Sequence, residues 1–195
     1  MLPSWLGLDS WLPSQIDDDS KLVRIVAPQG GKATQVIGEG DWLDVSKGSW
    51  QRSDVRVTLL SATVMPVVLK GPKEKQKVTK VKYLVIGLGV RNSGVARMFE
   101  YHTWNDKPAA ADAPLVRLTD ASGNELKPAT FDEGWSLPGR GESASLVPGK
   151  LVEDLLIFEV PAADTMDSLK LELPSEAFGE KAPPVRLLIP KSSIR

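Results

Sequence analysis

Lys82-Tyr83-Leu84-Val85-Ile86-Gly87-Leu88-Gly89-Val90-Arg91-Asn92-Ser93-Gly94 is the stretch that decides the fold. In an extended chain successive side chains point to opposite faces. Leu84, Ile86, Leu88 and Val90 then share one face, and Tyr83, Val85, Gly87 and Gly89 share the other. Asn92-Ser93-Gly94 closes the run as a turn, so a long strand is predicted over residues 78–91. Gly87-Leu88-Gly89 is not a dinucleotide loop. It lacks a third glycine, and a strand follows it instead of a helix. Glycines inside a strand predict close approach of another chain or of a large aromatic.

The same period continues on both sides. Upstream, Val55, Val57 and Leu59 alternate with Arg56 and Thr58, the mark of a half-buried strand. The run continues through 64–69 with Pro66 inside it, which predicts an edge strand or a bulge. A lysine-rich turn follows over 70–77. Downstream, strands are expected over 99–104, 115–119, 125–131, 151–160, 169–173 and 185–189. Asp120-Ala121-Ser122-Gly123-Asn124 reads as a hairpin turn in which Gly and Asn are free to take positive φ. Helical turns are expected only near 162–166 and 175–178. Eight or nine closely spaced strands predict an all-β fold, an immunoglobulin-like antiparallel sandwich of two sheets with an irregular N-terminal arm. Residues 42–195 are assigned to the sandwich domain. Residues 1–41 are read as an arm or linker with a short strand at 21–27.

Composition excludes several chemistries. The chain has 195 residues, 24 Lys and Arg against 25 Asp and Glu, one His and no Cys. Without cysteine there is no thiolate metal site, thiol nucleophile or disulfide. One His rules out a multi-His zinc site. A net charge of −1 argues against broad nucleic-acid binding, which needs an excess of Lys and Arg on one face. A chain this long buries enough core to fold without a staple. It holds no apolar run of 18 residues or more, so no spanning segment is predicted within it. Residues 1–8 do not read as a signal peptide. Trp5, Leu6, Leu8, Trp11 and Leu12 pack on the domain, or sit at a membrane interface if an anchor precedes them.

The ordered segments carry a resemblance. Trp50-Gln51-Arg52-Ser53-Asp54-Val55-Arg56-Val57 is followed by the 82–94 run, then by Leu118-Thr119-Asp120-Ala121-Ser122-Gly123 and Leu146-Val147-Pro148-Gly149. Leu155-Leu156-Ile157-Phe158-Glu159-Val160-Pro161 and Leu169-Lys170-Leu171-Glu172-Leu173 come last. Over residues 50–174 this resembles the telokin-like, immunoglobulin-like bacterial domain of unknown function. The close, Ala177-Phe178-Gly179 through Ile189-Pro190-Lys191, is similar to planctomycete members. A mycobacterial secreted immunoprotective antigen has a similar fold. The resemblance implies an extracytoplasmic protein, secreted or membrane-anchored, with an anchor upstream in the native chain. It brings no catalytic motif. Two features depart from the pattern: the first 40 residues, and Glu153-Asp154, two acids inside a strand. Asp154 shares its face with Leu156 and Phe158, so it lies at a solvated strand end or has a partner.

Few residues invite chemistry. His102 stands alone, so no metal is expected there. Asp17-Asp18-Asp19 and the 120–124 loop lack the spaced oxygens of a calcium site. No nucleophile elbow occurs; Gly141-Glu142-Ser143-Ala144-Ser145 is only superficially like one. A carboxylate-pair hydrolase is left open by the number of acids. No cofactor is expected, and the chain is read as non-enzymatic. Two groups could bind a partner. Lys70, Lys73, Lys75, Lys77, Lys80 and Lys82, with Glu74 the only acid among them, could meet an anionic surface or protect an edge strand. Tyr101, Trp104 and Trp135 could stack on a sugar or fill the core. The function expected is an interaction or structural module of the cell envelope whose partner is an unidentified protein or envelope glycan. A carbohydrate-binding module with exposed, coplanar aromatics and a hydrolase with an acid-lined cleft are the alternatives.

Overall fold

The computed structural model describes residues 23–26, 33–38, 40–105, 114–139, 141–160 and 166–195. These residues form an all-β sandwich. The strands are β1 (Val23–Val26), β2 (Ala33–Ile37), β3 (Leu43–Asp44), β4 (Ser49–Arg52), β5 (Val55–Lys70) and β6 (Gln76–Asn92), then β7 (Phe99–Tyr101), β8 (Arg117–Thr119), β9 (Ala144–Leu146), β10 (Leu151–Glu159), β11 (Ser168–Leu173) and β12 (Val185–Pro190). A large sheet has the order β10-β6-β5-β4-β1-β2, a small sheet β3-β12-β11-β8, and β7 pairs with β9 as a ribbon. All pairings are antiparallel except β3 with β12, where Leu43 and Asp44 run parallel to Leu187 and Leu188. The sheets are therefore not purely antiparallel. β1 and β2 extend the large sheet beyond β4, so pairing reaches upstream of residue 42. The strand expected at 21–27 corresponds to β1; residues 1–22 lie outside the described residues.

Period two explains the core. Leu84, Ile86, Leu88 and Val90 are fully buried between the sheets, facing Leu169, Leu171, Leu173, Val185 and Ile189. Each such side chain contributes about 1.5–3 kcal/mol on leaving water. Opposite Gly87 lie Ser61 and Leu155, and opposite Gly89 lie Leu60 and Leu151. The close approach expected at these glycines is thus made by side chains of the two flanking strands, none of them aromatic.

Four expectations meet the structure here, of which one holds and three need correction. First, the run continuing from 55 through 69 is one strand, β5, as expected, with irregularities at Leu59/Ser61 and at Pro66/Val68. Pro66 fits because β4 pairs only with the start of β5, leaving that side of the strand open to a residue without an N–H. The Val67 amide at this irregularity donates to Thr79 Oγ1 at 3.0 Å. Second, 125–131 is not a strand. Glu125 makes one bridge to Thr119, and the chain then crosses to the edge of β10, where Pro128 bridges Phe158. Asp120 holds the preceding turn by accepting from the Ser122 and Asn124 amides, both at 2.9 Å, with Gly123 at φ +85°. Third, the expected strand 99–104 ends at Tyr101 because the next residues turn inward to Asp154. Fourth, the turn is shorter than 70–77: Lys70 ends β5, Lys77 lies inside β6, and Pro72–Glu74 forms a tight turn with left-handed backbone at Lys73 and Glu74. A 3₁₀ turn does form at Ser175–Phe178. Residues 161–165, which contain most of the other expected helical turn, lie outside the described residues.

Crossing of the 127–139 segment over the large sheet creates a second apolar cluster on the sheet's outer face. Val67, Leu69, Ala129, Leu137 and Ile157 are buried there, with Tyr83 and Trp135 against them. Ser136 and Lys70 exchange backbone hydrogen bonds at 2.9 and 2.8 Å. This pins the segment to the base of the β5–β6 hairpin.

Candidate functional site

The hairpin joining β5 and β6 carries all six lysines of the basic group. All are exposed. Lys70 pairs with Glu74 at 2.6 Å and Lys77 with Asp132 at 3.5 Å. Lys73, Lys75, Lys80 and Lys82 make no ion pair among the described residues. Val68 and Val78 stand directly opposite each other on the hairpin and are 42 % and 61 % exposed; Val81 is exposed as well. The tip is strained. Lys73 and Glu74 hold φ of +56° and +59°, a region that costs a residue with a Cβ about 1–2 kcal/mol. The result is a rigidly based basic projection with an apolar pair on it.

The three aromatics separate. Trp135 joins the lysines: its ring lies against Gly71, where a Cβ would come within 2.9 Å, and Lys77 Nζ lies 5.6 Å from its centroid. Tyr101 and Trp104 instead enter the core beside Phe178. Their rings meet edge-to-face at 5.4 Å, and the Trp104 indole N–H donates to the Pro174 carbonyl at 3.1 Å. Tyr101 is fully buried and Trp104 half-buried. The three rings form no coplanar exposed platform.

Asp154 organises that core end. It is fully buried. Its Oδ2 accepts from Tyr101 Oη (2.6 Å), Thr103 Oγ1 (2.7 Å) and the Trp104 amide (3.2 Å). Its Oδ1 accepts from Asn105 Nδ2 (2.7 Å) and from the amides of Gly141 (3.0 Å) and Leu155 (2.8 Å). These donors replace the water a buried carboxylate would otherwise need. Burial, and then the Asp154 charge, push the Tyr101 hydroxyl far above its ordinary range. Asp154 therefore has a partner and does not lie at a solvated strand end. Its alternation with Leu156 and Phe158 gave the signal; Thr103, Asn105 and Gly141 had none.

Arg52 is a second buried charge. It donates to Glu180 Oε2 at 2.9 Å, Ser175 Oγ at 2.8 Å and the Pro183 carbonyl at 2.9 Å, with its guanidinium 5.0 Å from the Trp50 ring. It clamps β4 to the segment before β12. His102 is exposed, and among the described residues no group of three or more His, Asp or Glu is arranged to hold a metal. A groove of about 310 Å³ lies between the middle of β5 and the 192–195 segment, lined by Ser61, Thr63, Ser192, Ser193 and Arg195 among others, with no Asp, Glu or His. Among the described residues no helix is long and apolar enough to cross a membrane.

The sequence matches no protein-family model and no curated protein. Solved structures do show likeness. A candidate lipoprotein, ycdA, of Bacillus subtilis is 14% identical over 74% of this chain and 38% of its own, with a TM-score of 0.46. The chain thus spans about two fifths of that protein's length. The yjhA protein of Bacillus subtilis is 13% identical over 75% of this chain and 96% of its own, at 0.45. MPT63, a secreted protein of Mycobacterium tuberculosis, is 11% identical over 77% and 92%, at 0.38. At these identities and scores the likeness transfers no function, and the chain is placed in no family.

Proposed function

We propose that this protein is a non-enzymatic extracytoplasmic interaction module that docks on an acidic protein or anionic envelope glycan through the β5–β6 hairpin. The observation that carries the reading is the hairpin itself: four lysines without counter-ions among the described residues, beside an exposed valine pair. Lysines without partners create a positive field that attracts anionic surfaces. The strained tip adds support, because left-handed backbone outside glycine concentrates at functional sites. The acid-free groove and the saturated Asp154 carboxylate favour binding over hydrolysis. The sequence resemblance supports placement outside the cytoplasm.

The test is site-specific photocrosslinking in intact cells, with the photoreactive residue at position 75 on the tip or at position 122 in the turn after β8. Adducts from position 75 only, formed outside the cytoplasm, are expected. Adducts from position 122 only, or none from position 75, overturn the reading.

A further inference from the structure

The outer face of the large sheet carries a row of arginines far from the lysine hairpin. Strand register aligns Arg24 of β1 with Gln51 of β4, Gln51 with Arg56 of β5, and Arg56 with Arg91 of β6. The alternate residues Val23, Ile25, Trp50, Val55, Val57 and Val90 face the core, so this row faces outward. Arg56 and Arg91 are direct cross-strand neighbours, with Cβ atoms about 4.5–5.5 Å apart in such a pair. Like charges so placed repel each other, yet neither arginine has a carboxylate partner among the described residues. Glu153, one row along beside Gly89, makes no ion pair with Arg91. Burial and the Arg91 charge lower the Arg56 pKa below its ordinary value.

The pair is also held in place. Gln51 Nε2 donates to the Ser53 carbonyl at 3.2 Å, which turns its Oε1 toward Arg56. That oxygen accepts from Arg56 Nε at 3.0 Å and Nη2 at 2.8 Å, fixing one edge of the guanidinium. Arg91 Nε donates to the Gly149 carbonyl at 3.3 Å. Arg56 Nη1 and both terminal nitrogens of Arg91 have no protein acceptor among the described residues. Two anchored guanidinium forks with free donors and uncompensated charge fit a multi-oxygen anion, since arginine binds phosphate-like groups through parallel N–H donors. We infer that Arg56 and Arg91 form a binding site for a sulfate or phosphate group, either free or esterified to a glycan.

The experiment follows the Arg Nε–Hε NMR signals of the full chain during titration with inorganic phosphate, inorganic sulfate and a sulfated hexasaccharide. Saturable shifts of the Arg56 and Arg91 signals are expected. Response to the inorganic ions at matching affinity supports the site with a free anion as ligand. Response to the hexasaccharide at tenfold or more higher affinity supports it with an esterified group. Arg91→Gln removes a like charge, so its Tm stays the same or rises while affinity drops tenfold or more. Arg91→Lys keeps the charge but loses the fork, and weakens binding at least threefold. No saturable shift with any probe, or full affinity in Arg91→Gln or Arg91→Lys, overturns the inference. The hairpin is tested separately: Lys73→Glu/Lys75→Glu/Lys80→Glu leaves these shifts intact if the two sites are distinct, and loss of the shifts in that variant with retention in Arg91→Gln also overturns it.

Discussion

The Tyr101 hydroxyl donates to Asp154 Oδ2 at 2.6 Å in the interior of the sandwich, joining the β7–β9 ribbon to the edge strand of the large sheet. Removing the acceptor strands several buried donors at once. Asp154→Ala is expected to destabilise by about 3 kcal/mol or more, and Tyr101→Phe by about 1.5–3 kcal/mol. Urea unfolding monitored by Trp fluorescence checks both.

Tyr101 also sets an alkaline limit. Its folded pKa lies above its unfolded value of about 10. The unfolded chain therefore releases this proton first, so stability is full below about pH 10 and declines above it. Wild type is expected to lose more stability than Tyr101→Phe between about pH 9 and about pH 12. Equal losses would exclude Tyr101 as the source.

Gly141 lies against the same carboxylate. A Cβ there would come within 2.7 Å of Asp154 Cγ, inside a network with no slack. Gly141→Ala is expected to cost about 1–3 kcal/mol by overpacking. Calorimetric Tm checks it, with exposed Ser122→Ala as the near-neutral comparison.

Arg52 and Glu180 differ in what their loss leaves behind. Arg52 is buried, whereas Glu180 is a third exposed. Arg52→Ala opens a cavity beside Trp50 and leaves Ser175 Oγ and the Pro183 carbonyl with only their bond to each other at 2.7 Å, an expected cost of about 3 kcal/mol. Glu180→Gln keeps an acceptor oxygen for the buried Arg52 and is expected to cost less, about 1–2 kcal/mol. Reversal of that order in urea unfolding would show that the clamp is not centred on Arg52.

Strong alternation made the long central strands legible: β6, β10, β11 and β12 follow directly from residues such as Leu84, Leu156, Leu171 and Leu187. Several short strands held by tertiary contacts were not legible, although β1, β7 and β8 fall within expected runs. β3, β4 and β9 have too few residues to show a period, and Leu43 is placed by Leu187, 144 positions along the chain. The 125–131 run shows why an apolar pattern can mislead. Leu126 and Ala129 are buried in different clusters, Leu126 in the core between the sheets and Ala129 on the outer face of the large sheet, so no single strand joins them. The lysine hairpin was visible from charge spacing alone. The arginine row was not, because only register reveals that Arg24, Arg56 and Arg91 align.

The central claim, that the lysine hairpin is the docking element, is tested most directly by the affinity of the purified protein for isolated native envelope as salt is varied. Wild type is compared with Lys73→Glu/Lys75→Glu/Lys80→Glu, whose exposed sites leave stability within about 0.5 kcal/mol of wild type. Wild type is predicted to bind more weakly as salt rises, and the variant to bind at least tenfold more weakly at low salt with an unchanged Tm. Equal binding of the two proteins at low salt would contradict the account.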